Sequence, residues 1–184
     1  EARKLFKAGT DADPKNAPVW QAWAIMERDV GNVEEARRLF KNATEAEPDN
    51  SICRSSWQQL EEQANQPEYL RQFHQCMAQF FPKEVRSWQG WATFERNQGN
   101  LDEACRLYRK ALEVKPSNTH SWHALAMLEK QRGNYSEARI LFQEASRYDA
   151  SRAEIWQAWA IMEKELGDFA QARQLFQKAT QVDG

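Results

Sequence analysis

Apolar and polar residues follow one another along this chain with helical spacing. Trp20, Trp23 and Glu27 lie at i, i+3 and i+7, one face of a first helix, and Ala36, Leu39, Phe40 and Ala43 follow at i, i+3, i+4 and i+7 on a second. Both faces return at a fixed interval of 34 residues. Trp20, Trp88, Trp122 and Trp156 form one column, and Trp23, Trp57, Trp91, Leu125 and Trp159 a second; every Trp in the chain falls in one of the two. Behind them run Glu27, Glu61, Glu95, Glu129 and Glu163, then Gly31, Asn65, Gly99, Gly133 and Gly167. The second helices repeat as Ala36, Leu70, Ala104, Ala138 and Ala172, and as Phe40, His74, Tyr108, Phe142 and Phe176.

The turns are specified as closely as the helices. Glycine at the first turn position can take the left-handed conformation that ends a helix, and the Asn or Asp after it can accept from the backbone N–H groups of the next helix. Asn32, Asn100, Asn134 and Asp168 are each followed three residues later by an acid or amide, as a capping box requires. Asn65 can itself go left-handed, and Pro67 suits a first helical position. Pro14, Pro48, Pro82 and Pro116, with Ala150 as the substitute, close the units, so each helix pair folds back on itself. A pair of this size cannot bury its Trp and Phe stripes alone, so neighbours must stack. The expected fold is all-α: a right-handed α-solenoid of 34-residue helix-turn-helix repeats in a single array over 1–184. Residues 1–16 supply the second helix of a preceding repeat, and five repeats follow at 17–50, 51–84, 85–118, 119–152 and 153–184, eleven helices in all.

Composition narrows the class. No run of about 18 apolar residues occurs, so no membrane-spanning helix is expected, and the formal net charge of −2 gives no strongly basic body. Three cysteines, Cys53, Cys76 and Cys105, are an odd number without ligand spacing, which points to reduced, buried thiols. The opening EARKLFKA already reads as an amphipathic helix, with no initiator Met and no leader segment, so the chain reads as a piece of a longer one.

The run Trp-x-x-Trp-Ala-x-x-Glu, Gly-Asn, Ala-Arg-x-Leu-Phe-x-x-Ala and closing Pro, as in Trp20 to Pro48, resembles the half-a-tetratricopeptide (HAT) repeat, a relative of the tetratricopeptide repeat. Glutamate at Glu27 and its equivalents stands where tetratricopeptide repeats usually carry Tyr. The repeated Trp-Gln-Ala-Trp-Ala-Ile-Met-Glu of 20–27 and 156–163 is most similar to chloroplast factors that mature and stabilise photosystem II messages. The resemblance implies an RNA-binding scaffold in the chloroplast stroma, or a nuclear RNA-processing factor, holding single-stranded mRNA in a concave groove. The alternative is a protein–protein interaction scaffold inside an RNA-processing ribonucleoprotein.

With the Trp stripe buried, each first helix leaves open the positions one, five and eight after its leading Trp. The first column reads Gln21, Ser55, Gln89, His123 and Gln157, and the last Arg28, Glu62, Arg96, Lys130 and Lys164. On the RNA reading, Arg28, Arg96, Lys130 and Lys164 meet successive phosphates while Gln21, Gln89, His123 and Gln157 address bases. The plain alternative is solvated charge at exposed helix positions.

The Glu column faces a matching column of Arg3, Arg37, Arg71, Arg139 and Arg173 on the second helices, broken at Cys105, where Arg106 is adjacent. Repeated inter-helix ion pairs explain both columns better than acid–base or metal chemistry. His120 and His123 lack companion ligands at metal spacing, and His74 reads as a core or half-buried histidine. No Gly-rich phosphate loop, nucleophile elbow or acid–base pair occurs, so the sequence reads as a non-enzyme with no metal or cofactor. Self-association through the terminal helices is a further expectation, since Leu5 and Phe6 lie exposed at one end.

Overall fold

The structure, a computed structural model, describes residues 1–182. Among them lie eleven α-helices: α1 (Ala2–Ala12), α2 (Ala17–Asp29), α3 (Val33–Ala46), α4 (Ser51–Ala64), α5 (Pro67–Phe80), α6 (Val85–Asn97), α7 (Leu101–Val114), α8 (Thr119–Gln131), α9 (Tyr135–Tyr148), α10 (Ala153–Glu165) and α11 (Phe169–Val182). The all-α expectation holds. The chain forms two compact units, Glu1–Phe80 with α1 to α5, and the stretch from Phe81 onward with α6 to α11. In each unit every helix packs on the next, and first helices also touch across a repeat, α2 on α4 and α8 on α10.

Glycine closes four of the first helices. Gly31, Gly99, Gly133 and Gly167 have φ of 83°, 81°, 80° and 86°, a region where side chains are disfavoured. The backbone N–H of Asn32 reaches the carbonyl of Glu27 and that of Gly31 the carbonyl of Arg28, a Schellman closure. The same pairs recur at Asn100 with Glu95, Asn134 with Glu129 and Asp168 with Glu163. Asn65 takes the left-handed role at φ 48°, and Pro67 opens α5.

The expected capping by asparagine is overturned at three of four turns. Asn32, Asn100 and Asn134 make no side-chain cap to the following helix, because their amides turn back to the glutamate at the end of the preceding one. The acids three residues on do not complete a box either: Glu35 and Glu103 bind Arg38 and Arg106 on the next turn of their own helices. Only Asp168, whose side chain has no N–H to donate, caps its helix, accepting from Gln171 N at 2.9 Å. Side-chain caps instead start first helices, where Asn16, Asn50 and Asn118 accept from Val19, Cys53 and Ser121.

The two Trp columns play different parts. Trp23 and Trp57 are buried. The leading Trp20, Trp88 and Trp122 stay half-buried, since each indole N–H leaves the core to donate to the carbonyl of Pro14, Pro82 or Pro116; Trp156 donates to Ala150. The closing residue is thereby tied to the helix it precedes. Leading and second indoles stack at 6.2 Å for Trp20 on Trp23 and Trp156 on Trp159. In the second unit Leu107, Tyr108, Leu125, Leu128, Leu141, Phe142, Ile155 and Met162 form one core cluster.

Open space surrounds the position where a Cβ would sit on Gly133, so Gly133→Ala meets only backbone strain. Urea unfolding should show a loss of about 1–2 kcal/mol, and a neutral result would show that the turn relaxes.

Candidate functional site

Each first helix ends in a carboxylate that almost no water reaches. Glu27, Glu61, Glu95, Glu129 and Glu163 are all buried, at 1–2% exposure. A carboxylate removed from water is costly unless donors surround it, and three parts of the chain supply them. From the same helix, one turn back, Trp23 Nε1 donates to Glu27 at 3.0 Å. From the turn, Asn32 Nδ2 donates at 2.7 Å. From the second helix of the preceding repeat, Arg3 Nε and Nη2 donate to the two oxygens at 2.7 and 2.8 Å, a bidentate fork. Arg37 clasps Glu61 in the same way at 2.7 and 2.8 Å, with Trp57 at 2.9 Å. Arg139 clasps Glu163 at 2.8 and 2.7 Å, with Trp159 at 2.9 Å. Glu95 receives Trp91 and Asn100.

The electrostatics agree with the geometry. Hydrogen bonding from Arg3 outweighs burial and holds the Glu27 carboxyl well below the usual range, at about 2, and Arg139 lowers Glu163. Burial alone would lower the Arg37 guanidinium; Glu61 and Glu34 reverse that and raise it. Arg37 also lies 3.4 Å above the Tyr69 ring. Arg71 pairs with Glu68 at 3.0 Å. Arg173 is exposed, with no ion pair found among the described residues.

The expectation that Arg106 compensates for Cys105 is corrected. Arg106 turns outward to Glu103 at 2.8 Å, while Glu129 draws on Arg109 at 3.0 Å, Arg132 at 3.0 Å and Asn134 at 2.7 Å. Arg132 also holds Asp102. Leu125 removes the indole donor at this junction and Cys105 the arginine. Arg132 restores charge from the position before Gly133, where the other repeats carry Val30, Ala64, Gln98 and Leu166. Two losses and one new cation at the same junction between repeats were the signal available in the sequence.

The residues expected to read RNA are largely engaged within the protein. Asn50 Nδ2 donates to Gln21 at 3.4 Å; Gln89 Nε2 donates to Asn118 and Ser121 at 2.8 and 2.9 Å. The amide column therefore joins successive first helices, because position one after the Trp faces the N-cap of the next first helix. His123 packs 6.1 Å from Phe142 with Nε2 buried and unbonded, and its pKa is lowered by burial and by Arg152. Ser55 and Gln157 in that column are exposed. Of the cations, Arg28 binds Asp29 at 2.8 Å and Lys130 binds Glu165 at 2.8 Å; Arg96 and Lys164 remain exposed. The continuous basic line expected along the first helices is thus neutralised at two of its four points.

What remains on this face of the second unit is a groove of about 440 Å³ lined by Arg96, Met127, Lys130, Gln131, Tyr135 and Glu165. Met127 is 39% and Ile161 44% exposed, both at the open position five after the leading Trp. Among the described residues no group of His, Cys, Asp and Glu could hold a metal, and no helix is long and apolar enough to cross a membrane. Cys53 and Cys105 are buried and Cys76 half-buried, and burial raises all three thiol pKa values.

Two tetratricopeptide repeat family models match, over residues 84–151 and 123–183. No curated protein sequence matches the chain. Solved structures share the fold. MamA has 12% identity and a TM-score of 0.67 over 87% of this chain and 94% of its own. YrrB, described as a TPR protein with an unusual peptide-binding site, has 13% identity and a TM-score of 0.66 over 96% and 91%. Yeast Tom70 has 20% identity and a TM-score of 0.65 over 97% of this chain and 39% of its own. The fold is an α-solenoid of tetratricopeptide type.

Glu163→Ala strands Arg139 and Trp159 and should cost about 2–3 kcal/mol in urea unfolding, below the range for a fully buried pair because Arg139 is 45% exposed. Arg106→Ala, which breaks only a surface pair, should cost under about 1 kcal/mol. Equal costs would contradict the clasp. The clasp also fixes a pH dependence. With folded carboxyl pKa values below the ordinary 4.5, their contribution is complete above that value and drains away as pH falls toward about 2. Stability measured between pH 5 and pH 3 should fall less steeply in Glu27→Gln than in the wild type.

Proposed function

We propose that this chain, a tetratricopeptide-like repeat protein, is a protein-binding scaffold whose second-unit groove holds a segment of a partner carrying both apolar and acidic side chains. The carrying observation is the groove itself: exposed Met127 shares its lining with Arg96, Tyr135 and the Lys130–Glu165 pair. Met127 and Tyr135 supply apolar area removed from water, and the exposed Arg96 selects a carboxylate and orients the segment. The peptide-binding site ascribed to YrrB supports this use of a shared fold.

The clasped glutamate at the position where tetratricopeptide repeats usually carry Tyr supports a HAT-type assignment, and with it a partner inside an RNA-processing assembly. Direct RNA binding is the weaker reading of the same face. Arg28 and Lys130 are already paired, and Gln21 and Gln89 are bonded between helices, so two phosphate contacts are left where four were counted.

Fluorescence anisotropy of the full chain with an acidic amphipathic peptide of about 15 residues, beside a single-stranded RNA of about 20 nucleotides, separates the two. Peptide binding should weaken about tenfold in Arg96→Ala, with little RNA affinity at ordinary salt. Tight RNA binding that falls with salt at a log–log slope of about −3, the −0.7 per contact of four phosphates, would overturn the protein reading.

A further inference from the structure

We infer that the contact between α8 and α10 is a proton-sensitive joint, in which His123 loosens α10 from α8 when it takes a proton. Between α6 and α8 the corresponding bridge is a glutamine, which does not titrate. Gln89 Nε2 donates to Asn118 Oδ1 and Ser121 Oγ at 2.8 and 2.9 Å, and Asn118 also caps α8 through Ser121 N at 2.8 Å. One repeat on, those three positions carry His123, Arg152 and Ile155. The lock is gone there. Ile155 offers no polar side-chain atom and is buried in the core, and Arg152 makes no side-chain cap to α10.

Charge stands in place of the lock. Arg152 turns back to α8, where its Nη1 donates to Thr119 Oγ1 at 3.1 Å, and its Nε donates to Glu154 at 3.4 Å. His123 sits half-buried within the field of this guanidinium, its Nε2 buried and without a hydrogen-bond partner. From α9 the Phe142 ring faces it at 6.1 Å, and that ring in turn stacks 6.2 Å from Trp159 of α10. His120 acts on it from the same helix and Glu154 from α10. At the far end of the contact is the Lys130–Glu165 pair at 2.8 Å, part of the groove lining. The joint thus borders the groove.

A neutral imidazole fits this place and an imidazolium does not. The cation carries N–H on both nitrogens, so at Nε2 it would hold a buried, unmet donor near a permanent positive charge. Burial first, and Arg152 second, hold the His123 pKa below the ordinary 6.5; His120 adds to the depression, and Glu154, drawn to Arg152, opposes it more weakly. When α10 moves off α8, the ring returns to water and to its ordinary value. Neutral His123 therefore supports the closed joint in full above 6.5, and that support is lost as pH falls through 6.5 toward the lower value of the closed state. About one pH unit below that point the open joint has gained up to about a tenfold advantage. Clasped carboxylates such as Glu27, with a pKa of about 2, titrate well below this window.

The test is hydrogen-exchange mass spectrometry of the full chain at about pH 7.5 and about pH 5.5, with each rate divided by the intrinsic rate at that pH. Protection of the α10 amides should fall about five- to tenfold on acidification, while that of α6 holds. His123→Gln should abolish the fall. So should His123→Gln/Arg152→Asn, which rebuilds the Gln21–Asn50 pairing of the first unit and returns an asparagine cap to the helix start. His120→Gln should keep most of the fall. Proton NMR of the ring signals should give His123 a midpoint below 6.5 that rises in Arg152→Ala. Constant α10 protection in the wild type, an undiminished fall in His123→Gln, or a His123 midpoint at or above 6.5 would each overturn the joint. An equal fall in α6 and α10 would do the same, because it would place the titration in the fold at large.

Discussion

A carboxylate buried at the end of each first helix is the constraint on which the repeat is built. Charge held at 1–2% exposure must be met from all sides, and each donor comes from a different element. The indole comes from one turn back, the asparagine from the turn, and the arginine from the preceding repeat. Satisfying one group therefore fixes the register of a helix, the path of its turn and the identity of its neighbour at once. In every repeat but the one with Glu61, the backbone carbonyl of the same glutamate accepts the N–H that closes the Schellman turn, so side chain and main chain of a single residue hold one corner. An apolar residue there could pack as well; it would not specify which helix comes next.

Much of this was legible in the sequence. The fixed spacing of Trp, Glu and Gly announced paired helices, and the opposed Glu and Arg columns announced their linkage, because periodicity exposes any residue whose role depends on its neighbours in the stack. Side-chain direction was less legible. Asparagine after glycine suits a cap and also suits a backward reach to Glu27, and only the depth of that carboxylate decides between them. Arg106 is adjacent to Cys105 in the chain yet turns outward to Glu103, while Glu129 is reached by Arg109, four residues after Cys105 on the facing helix, and by Arg132 at the end of its own helix. The Gln column was misread for a related reason: position one after each leading Trp looks open on a lone helix and is closed once a second is stacked beside it.

The outward face shows how little a count of charges says about a field. Column by column the first helices present four cations, but Asp29 and Glu165 lie between the repeat positions and cancel two of them. The remaining surface combines modest positive charge with exposed Met127 and Ile161, a balance suited to side chains rather than to a phosphate backbone. The framework beneath it is rigid for a reason unrelated to ligand: Gln89 and Lys130 spend their polar groups on neighbouring first helices.

The indoles carry one more consequence. Trp23, Trp57, Trp91 and Trp159 each donate to the glutamate of their own repeat, while Trp20, Trp88, Trp122 and Trp156 donate to a main-chain carbonyl. Every tryptophan thus reports one defined bond at one defined junction. Opening a junction hands its indole N–H to water and changes the emission of that repeat alone. The protein is in effect labelled along its length with its own fluorophores, with Arg54 the gap in the leading column and Leu125 the gap in the second.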